Sequence, residues 1–252
     1  MMRETGVTAK PKMVLFDSGH TLVTEAQWDS TRGYEALLPY AAKNPRGLSA
    51  QDVAAAAREL WPQLHLPARK AGRELHDHQF LRLLFALLEL EFSRPIPELS
   101  QLYYAACAGY YHIMPHVDEL LALLRLLHIR TGVVSNINES VEGVCARLRK
   151  YFPEHPFEFV ICSSEYGVRK PDPLIFRLAL AKANLPPEEI WFCGDNPQCD
   201  VEGACALGMT GIWYEDTTLP CIYHDPVMAP PTCPHWHIHD WRELMERLKG
   251  TQ

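Results

Sequence analysis

The chain has 252 residues, of which 47% are apolar, 22% charged and 10% aromatic. That is enough apolar material for a sizeable core and too little polar bias for a disordered protein, and the length excludes a disulfide-stapled mini-scaffold. With 24 Lys and Arg against 31 Asp and Glu, a net −7 with His neutral, neither nucleic acid nor an anionic membrane is expected as a partner.

The first strand-like run, residues 13–16, is four apolar residues ended by Asp17, too short for the apolar segment of an export signal. From about residue 25 to 114 strand-like runs vanish. Helical patterns follow one another at 28–40, 50–61, 74–92 and 98–112, separated by Pro45, Pro62, Pro67, Pro95 and Pro97. The most apolar part, 80–92, is broken by Arg82, Glu89 and Glu91 and is far short of a bilayer span.

Beyond residue 114, buried-strand runs at 131–134, 157–162, 190–193 and 211–214 alternate with helical patterns at 140–151, 173–184 and 201–208, the last closed by Gly208. A final helix is expected at 240–249. Strand alternating with helix predicts an α/β fold with a doubly wound parallel sheet. The sequence therefore divides into a core of residues 1–24 and 115–252 and an all-helical insert of residues 25–114. The insert is either a mobile module spliced into the first crossover or a cover for the sheet edge. Eight Cys (107, 145, 162, 193, 199, 205, 221, 233) fall mostly in apolar runs, with no CxxC pair, which suits reduced thiols in a cytoplasmic protein.

In an open parallel sheet, ligands sit beyond the carboxyl ends of the strands, so the residues just after each apolar run are the candidates. These are Asp17, then Ser135 and Asn136, then Lys170 ahead of the helix at 173–184, and Asp195 and Asp200 after the run at 190–193. Three carboxylates crowded together stay ionised when a divalent cation holds them, and an oxygen-only donor set points to Mg²⁺. A cation sharing its site with a lysine, a serine and turn amides suits a phosphate dianion, and an aspartate among them can attack phosphorus.

These stretches together, D-x-x-x-T at 17–21, VVSN at 133–136, GVRKPDP at 167–173 and GDNPQCDVEGACALGM at 194–209, resemble the haloacid dehalogenase-like hydrolase superfamily across essentially the whole chain. The resemblance implies a Rossmann-like core with a smaller helical cap domain inserted after the first motif. It also implies a Mg²⁺-dependent hydrolase that removes phosphate from a small metabolite. By the same resemblance, Asp17 is the nucleophile and a metal ligand, the Gly19 carbonyl is a second ligand, and Thr21 shapes the phosphate loop. Ser135 and the Asn136 amide bind phosphate, Lys170 neutralises charge between Asp17 and the phosphate, Asp195 binds the metal, and Asp200 supports it.

One departure stands out. Phosphatases of the family carry a second Asp two residues after the nucleophile as general acid and base; here that residue is Gly19. Its loss typically forfeits about 10²–10⁴ in rate, so slow or selective turnover is expected. His20 either supplies the missing proton or merely shapes the turn. Three alternatives stay open: a phosphate-binding relative with little turnover, a 2-haloacid dehalogenase, and a phosphonate hydrolase using Lys43 or Lys70. Two further clusters invite a site. Cys221, His224, Cys233, His235, His237 and His239 could hold zinc, although alternation with Trp236 and Ile238 reads more simply as a half-buried strand. Tyr103, Tyr104, Tyr110 and Tyr111 either pack or line a substrate cleft.

Overall fold

A computed structural model describes residues 10–25, 27–216, 218 and 228–250. In chain order the elements are β1 (Met13–Phe16), β2 (Val23–Glu25), α1 (Ser30–Leu37), β3 (Ala41–Lys43), α2 (Ala50–Lys70), α3 (Asp77–Leu87), β4 (Glu91–Phe92), α4 (Ile96–Ala108) and β5 (Tyr111–Ile113). There follow α5 (Val117–Leu126), β6 (Arg130–Ser135), α6 (Val141–Tyr151), β7 (Val160–Cys162), α7 (Ser163–Tyr166), α8 (Pro173–Ala183), β8 (Ile190–Gly194), α9 (Gly203–Cys205), β9 (Thr210–Tyr214), β10 (His235–Ile238) and α10 (Trp241–Gly250).

Six strands pair in the order β10-β9-β8-β1-β6-β7, every pair parallel. Alternation along β1 sends Val14 and Phe16 into one core, with α5, α6 and α10. Met13 and Leu15 enter the other, with α8 and α9. This is the doubly wound α/β arrangement that the alternating pattern predicts. Parallel strands need both faces covered, and β1, β8 and β9 are buried at every position.

A third apolar core is built wholly from residues between 34 and 99, including Tyr34, Leu37, Val53, Phe80, Leu84, Phe85 and Leu99. α1 and α4 approach closely there: a Cβ on Gly33 would run into the Tyr103 ring and Cys107 Sγ.

This region departs from the sequence expectation in three ways. First, α2 continues to Lys70 through Pro62 and Pro67, which were expected to end it. Each proline removes a bond to the carbonyl four residues back, a cost of about 3 kcal/mol in a helix interior. The helix nonetheless starts from a Ser49–Asp52 capping box and buries Ala50, Val53, Ala54 and Ala57 in its first turns, so it is anchored before either proline. Second, the pattern at 74–92 yields only Asp77–Leu87, because Glu89 adopts φ +57° and the chain then forms β4 against β3. Third, the pattern at 98–112 ends at Ala108, where Gly109 takes φ +64°, and β5 then pairs antiparallel with β2. The region is therefore helical apart from two short ribbons.

In the core, the helix expected at 201–208 is a π-helical turn at Pro197–Glu202 followed by α9, and α5 is an element the sequence reading did not assign. No described helix is long and apolar enough to cross a membrane.

Candidate active site

β1 lies between β8 and β6 at the centre of the sheet, so the loops leaving these strands diverge and open a crevice at their carboxyl ends. Asp17 follows β1, its N–H donating to Cys193 O at 2.9 Å. Ser135 ends β6 and Asp195 follows β8. Lys170 arrives from the loop before α8 and is held by Asn136. Asn136 Oδ1 accepts from the Lys170 N–H at 2.7 Å, and Asn136 Nδ2 donates to Lys170 O at 2.9 Å. Both polar atoms of the Asn136 side chain thus position the lysine.

Lys170 is 1% exposed. Its Nζ donates to Asp17 Oδ1 at 2.9 Å and to Val134 O at 2.7 Å, and lies 2.6 Å from Asp200 Oδ1. Two acceptors and a third, ion-paired carboxylate oxygen thus surround the ammonium. Burial opposes the ammonium charge, but Asp17 and Asp200 outweigh that, and the lysine pKa stands above its ordinary value. For Asp200 the balance runs the other way: burial raises the carboxyl above the usual range although Lys170 pulls it down.

Asp200 is fixed further by the Asn196 N–H, which donates to its Oδ2 at 3.0 Å. It also packs against the backbone of Gly194, where a Cβ would strike the Asp200 carboxylate. Asp195 is placed by Thr21, whose Oγ1 donates to its Oδ1 at 3.4 Å, and by Trp213, whose indole N–H donates to its carbonyl at 3.1 Å. Thr21 is fully buried, and its hydroxyl serves Asp195.

Asp17, Asp195 and Asp200 offer carboxylate oxygens that all lie within 4.8 Å of one another. One ammonium faces three carboxylates across these four side chains. An all-oxygen set with this charge fits a hard divalent cation of the Mg²⁺ class, and the residues present are the ones that would hold it.

Asp17, Gly19, His20, Ser135, Asn136, Lys170 and Asp200 line one cavity of about 600 Å³. Gly19 carries no steric demand for glycine: a Cβ there would meet nothing within 4 Å, and its φ is not positive. His20 is 7% exposed and sits at φ +51°, a strained conformation of the kind that gathers at functional sites. Its Nδ1 lies 3.2 Å from Thr24 Oγ1, which orients the ring at the cavity wall.

The opposite wall comes from the helical region. Arg58, Trp61, His65 and Arg69 recur on one face of α2, alongside Tyr34, Tyr103, Tyr104 and Phe80. Of the four tyrosines singled out in the sequence, Tyr103, Tyr104 and Tyr111 line the cavity, while Tyr110 is half exposed to solvent. Glu74, from the loop between α2 and α3, accepts from Ser163 Oγ at 2.8 Å and pairs with Arg169 at 3.1 Å, tying the helical region to the loop that carries Lys170. Neither Lys43, paired with Glu91 at 2.9 Å, nor the exposed Lys70 lines the cavity.

Cys221 and His224 lie outside the described residues. Trp236 and Ile238 are buried, His235 and His237 half-buried and His239 exposed, the strand pattern expected from the alternation.

A single haloacid dehalogenase-like hydrolase family model matches residues 11–208, and the chain belongs to that family. Over 90 residues it is 42% identical to a phosphoserine phosphatase of Thermus thermophilus, covering 36% of this chain and 33% of that protein. Over 99 residues it is 35% identical to haloacid dehalogenase-like hydrolase domain-containing protein 3 of Homo sapiens, covering 39% and 38%. Over 107 residues it is 31% identical to a glyceraldehyde 3-phosphate phosphatase of Pyrococcus abyssi, covering 42% and 44%. The chain thus spans between a third and under half of the length of these relatives. Among solved structures, a 2-haloacid dehalogenase from Pseudomonas syringae pv. Tomato DC3000 superposes with a TM-score of 0.59 at 25% identity, covering 95% of this chain and 98% of that one. A HAD phosphatase from Thermococcus onnurineus shares the fold with a TM-score of 0.61 at 21% identity, covering 97% and 99%.

Proposed function

We propose that this chain is a Mg²⁺-dependent phosphatase of small phosphorylated metabolites, with residues 25–114 acting as a cap over a core of residues 1–24 and 115–252. The observation that carries the reading is the buried Lys170 bridging Asp17 and Asp200, with Asp195 within reach of the same point. Relatives above 30% identity that bear phosphatase names support it.

In this reading an Asp17 oxygen attacks phosphorus, and the bond to the leaving oxygen breaks. Water then cleaves the resulting aspartyl-phosphate to release phosphate and restore Asp17. Lys170 offsets charge between Asp17 and the phosphoryl oxygens while the Ser135 hydroxyl, at the end of β6, donates to those oxygens. Asp17, the Gly19 carbonyl, Asp195 and Asp200 would hold the metal, which when bound supplies neutralisation of phosphoryl charge. Gly19 brings no proton to the leaving oxygen. His20, at the cavity wall and steered by Thr24, takes that role. The aromatic and arginine-bearing wall from α1, α2 and α4 selects the leaving group and excludes water when the cap closes. Fully buried thiols such as Cys162 and Cys193 suit a cytoplasmic location.

The test is turnover of p-nitrophenyl phosphate. The reading requires activity that is lost on chelation, restored by Mg²⁺ and abolished in Asp17→Asn. Tight retention of phosphate without release would identify a binding protein instead. Halide release from a 2-haloacid with chelator present would identify a dehalogenase.

A further inference from the structure

Away from the crevice, at the edge of the sheet, the alternating histidines of β10 meet an acidic residue. Glu215 leaves β9, while His237 and His239 stand two residues apart and so share one face. The parallel register pairs His237 with Trp213 and Ile238 with Tyr214, which brings His239 beside Glu215. The Glu215 N–H fixes this alignment by donating to Ile238 O at 2.9 Å.

His237 Nε2 lies 2.9 Å from Glu215 Oε2, and His239 Nδ1 lies 3.7 Å from the same oxygen. Ligand atoms of all three residues fall within 4.8 Å of one another. A tetrahedral site with bonds of about 2.0–2.1 Å separates its ligand atoms by about 3.3 Å. The two distances bracket that edge, so a cation could seat without moving the backbone. The His239 ring would exchange its present 3.0 Å contact with Glu215 O for the cation. Two imidazoles and one carboxylate select a borderline cation rather than Mg²⁺. The His237 ring is already braced, stacked on Trp213 with centroids 4.0 Å apart and planes 10° from parallel.

We propose that Glu215, His237 and His239 form a second metal site, of the Zn²⁺ class, with its fourth position open to water. The ion would cross-link the edge strand β10 to the end of β9. Because the Trp213 indole also donates to the Asp195 carbonyl, the brace on His237 extends to the loop that carries Asp195. The proposal does not depend on the phosphatase reading.

The experiment uses the full chain without a histidine tag, equilibrated with Zn²⁺ in excess Mg²⁺ so that the Asp17 crevice is occupied. One Zn²⁺ per chain is expected, with affinity falling at least tenfold in His239→Ala and in Glu215→Gln. X-ray absorption at the zinc edge should show two imidazoles and an N/O shell near 2.0 Å. Glu215 and His239 side chains are 44% and 51% exposed, so both variants should keep their fold, as judged by circular dichroism. Absence of retained zinc, equal retention by both variants, or a sulfur-containing shell would each overturn the site. Should a variant fail to fold, the absorption spectrum of the unaltered protein decides alone.

Discussion

Gly19→Asp tests the account of the missing proton donor directly. The position accepts a side chain, since a Cβ meets nothing within 4 Å and φ is not positive. Filling a compatible glycine position stabilises by about 0.4–1 kcal/mol through the unfolded chain. Against this, the new carboxylate joins Asp17, Asp195 and Asp200. At roughly 6 Å and an effective dielectric of about 20, each such pair repels by about 2–3 kcal/mol. The variant should therefore unfold at lower urea than wild type in chelator and recover in Mg²⁺. For catalysis, a general acid is worth about 10²–10⁴, or about 3–5 kcal/mol of barrier. That gain should appear with an alkyl phosphate, whose leaving oxygen needs a proton, and shrink to a few-fold with p-nitrophenyl phosphate. His20→Gln should do the reverse, losing about 10² on the alkyl ester, and Gly19→Asp added to it should restore the loss. If Gly19→Asp leaves alkyl phosphate turnover unchanged in both backgrounds while Asp17 stays essential, position 19 does not address the leaving oxygen and the reasoning fails.

Other outcomes follow from the same geometry. Lys170→Met leaves Asp17 and Asp200 facing each other within 4.8 Å, a repulsion of about 3.5 kcal/mol at an effective dielectric of about 20. Urea unfolding in chelator should show a loss of about 3–5 kcal/mol, partly recovered by adding Asp200→Asn. Gly194→Ala drives a Cβ into the Asp200 carboxylate. Since Asp200 is 1% exposed and cannot swing aside, phosphatase turnover should fall at least tenfold at a stability cost of about 1–3 kcal/mol; unaltered kinetics would contradict the packing. His155 is held below its ordinary pKa by burial and then by Arg125. Its neutral form is therefore favoured by folding, and the stability it protects is lost as pH falls through about 6.5, where the unfolded imidazole takes up its proton. Unfolding free energies between pH 5 and 7 should show a flatter slope in His155→Gln.

The strands that position the chemistry were legible because each is an apolar run ended by a polar residue: Phe16 gives way to Asp17, Val134 to Ser135 and Gly194 to Asp195. Lys170 and Asp200 were legible through their motifs. The opposite wall was not. Arg58, Trp61, His65 and Arg69 repeat at helical spacing, but the repeat reads as one face only if the helix survives Pro62 and Pro67, as it does. Glu74, Asp77 and Glu139 reach the cavity through contacts far apart in sequence. Glu74 meets Arg169 across 95 positions, and Asp77 accepts from Ser100 on another helix; no local pattern encodes such pairings. The pairing of the Asn136 side chain with the Lys170 backbone, across 34 positions, is likewise encoded by no local pattern.

The ribbon of β2 and β5 has a mechanical consequence. β2 begins six residues after Asp17, and the turn between them is knitted by the His20 N–H to Val23 O and the Leu22 N–H to Ser18 O. Any tilt of the helices that arrive and depart through this paired stem pulls on a short, stiff tether ending at Asp17. In the proposed reading, clamping around a ligand and alignment of the Asp17 oxygen would then be a single motion, and a linker inserted at residues 22–23 would uncouple them without touching either wall of the crevice.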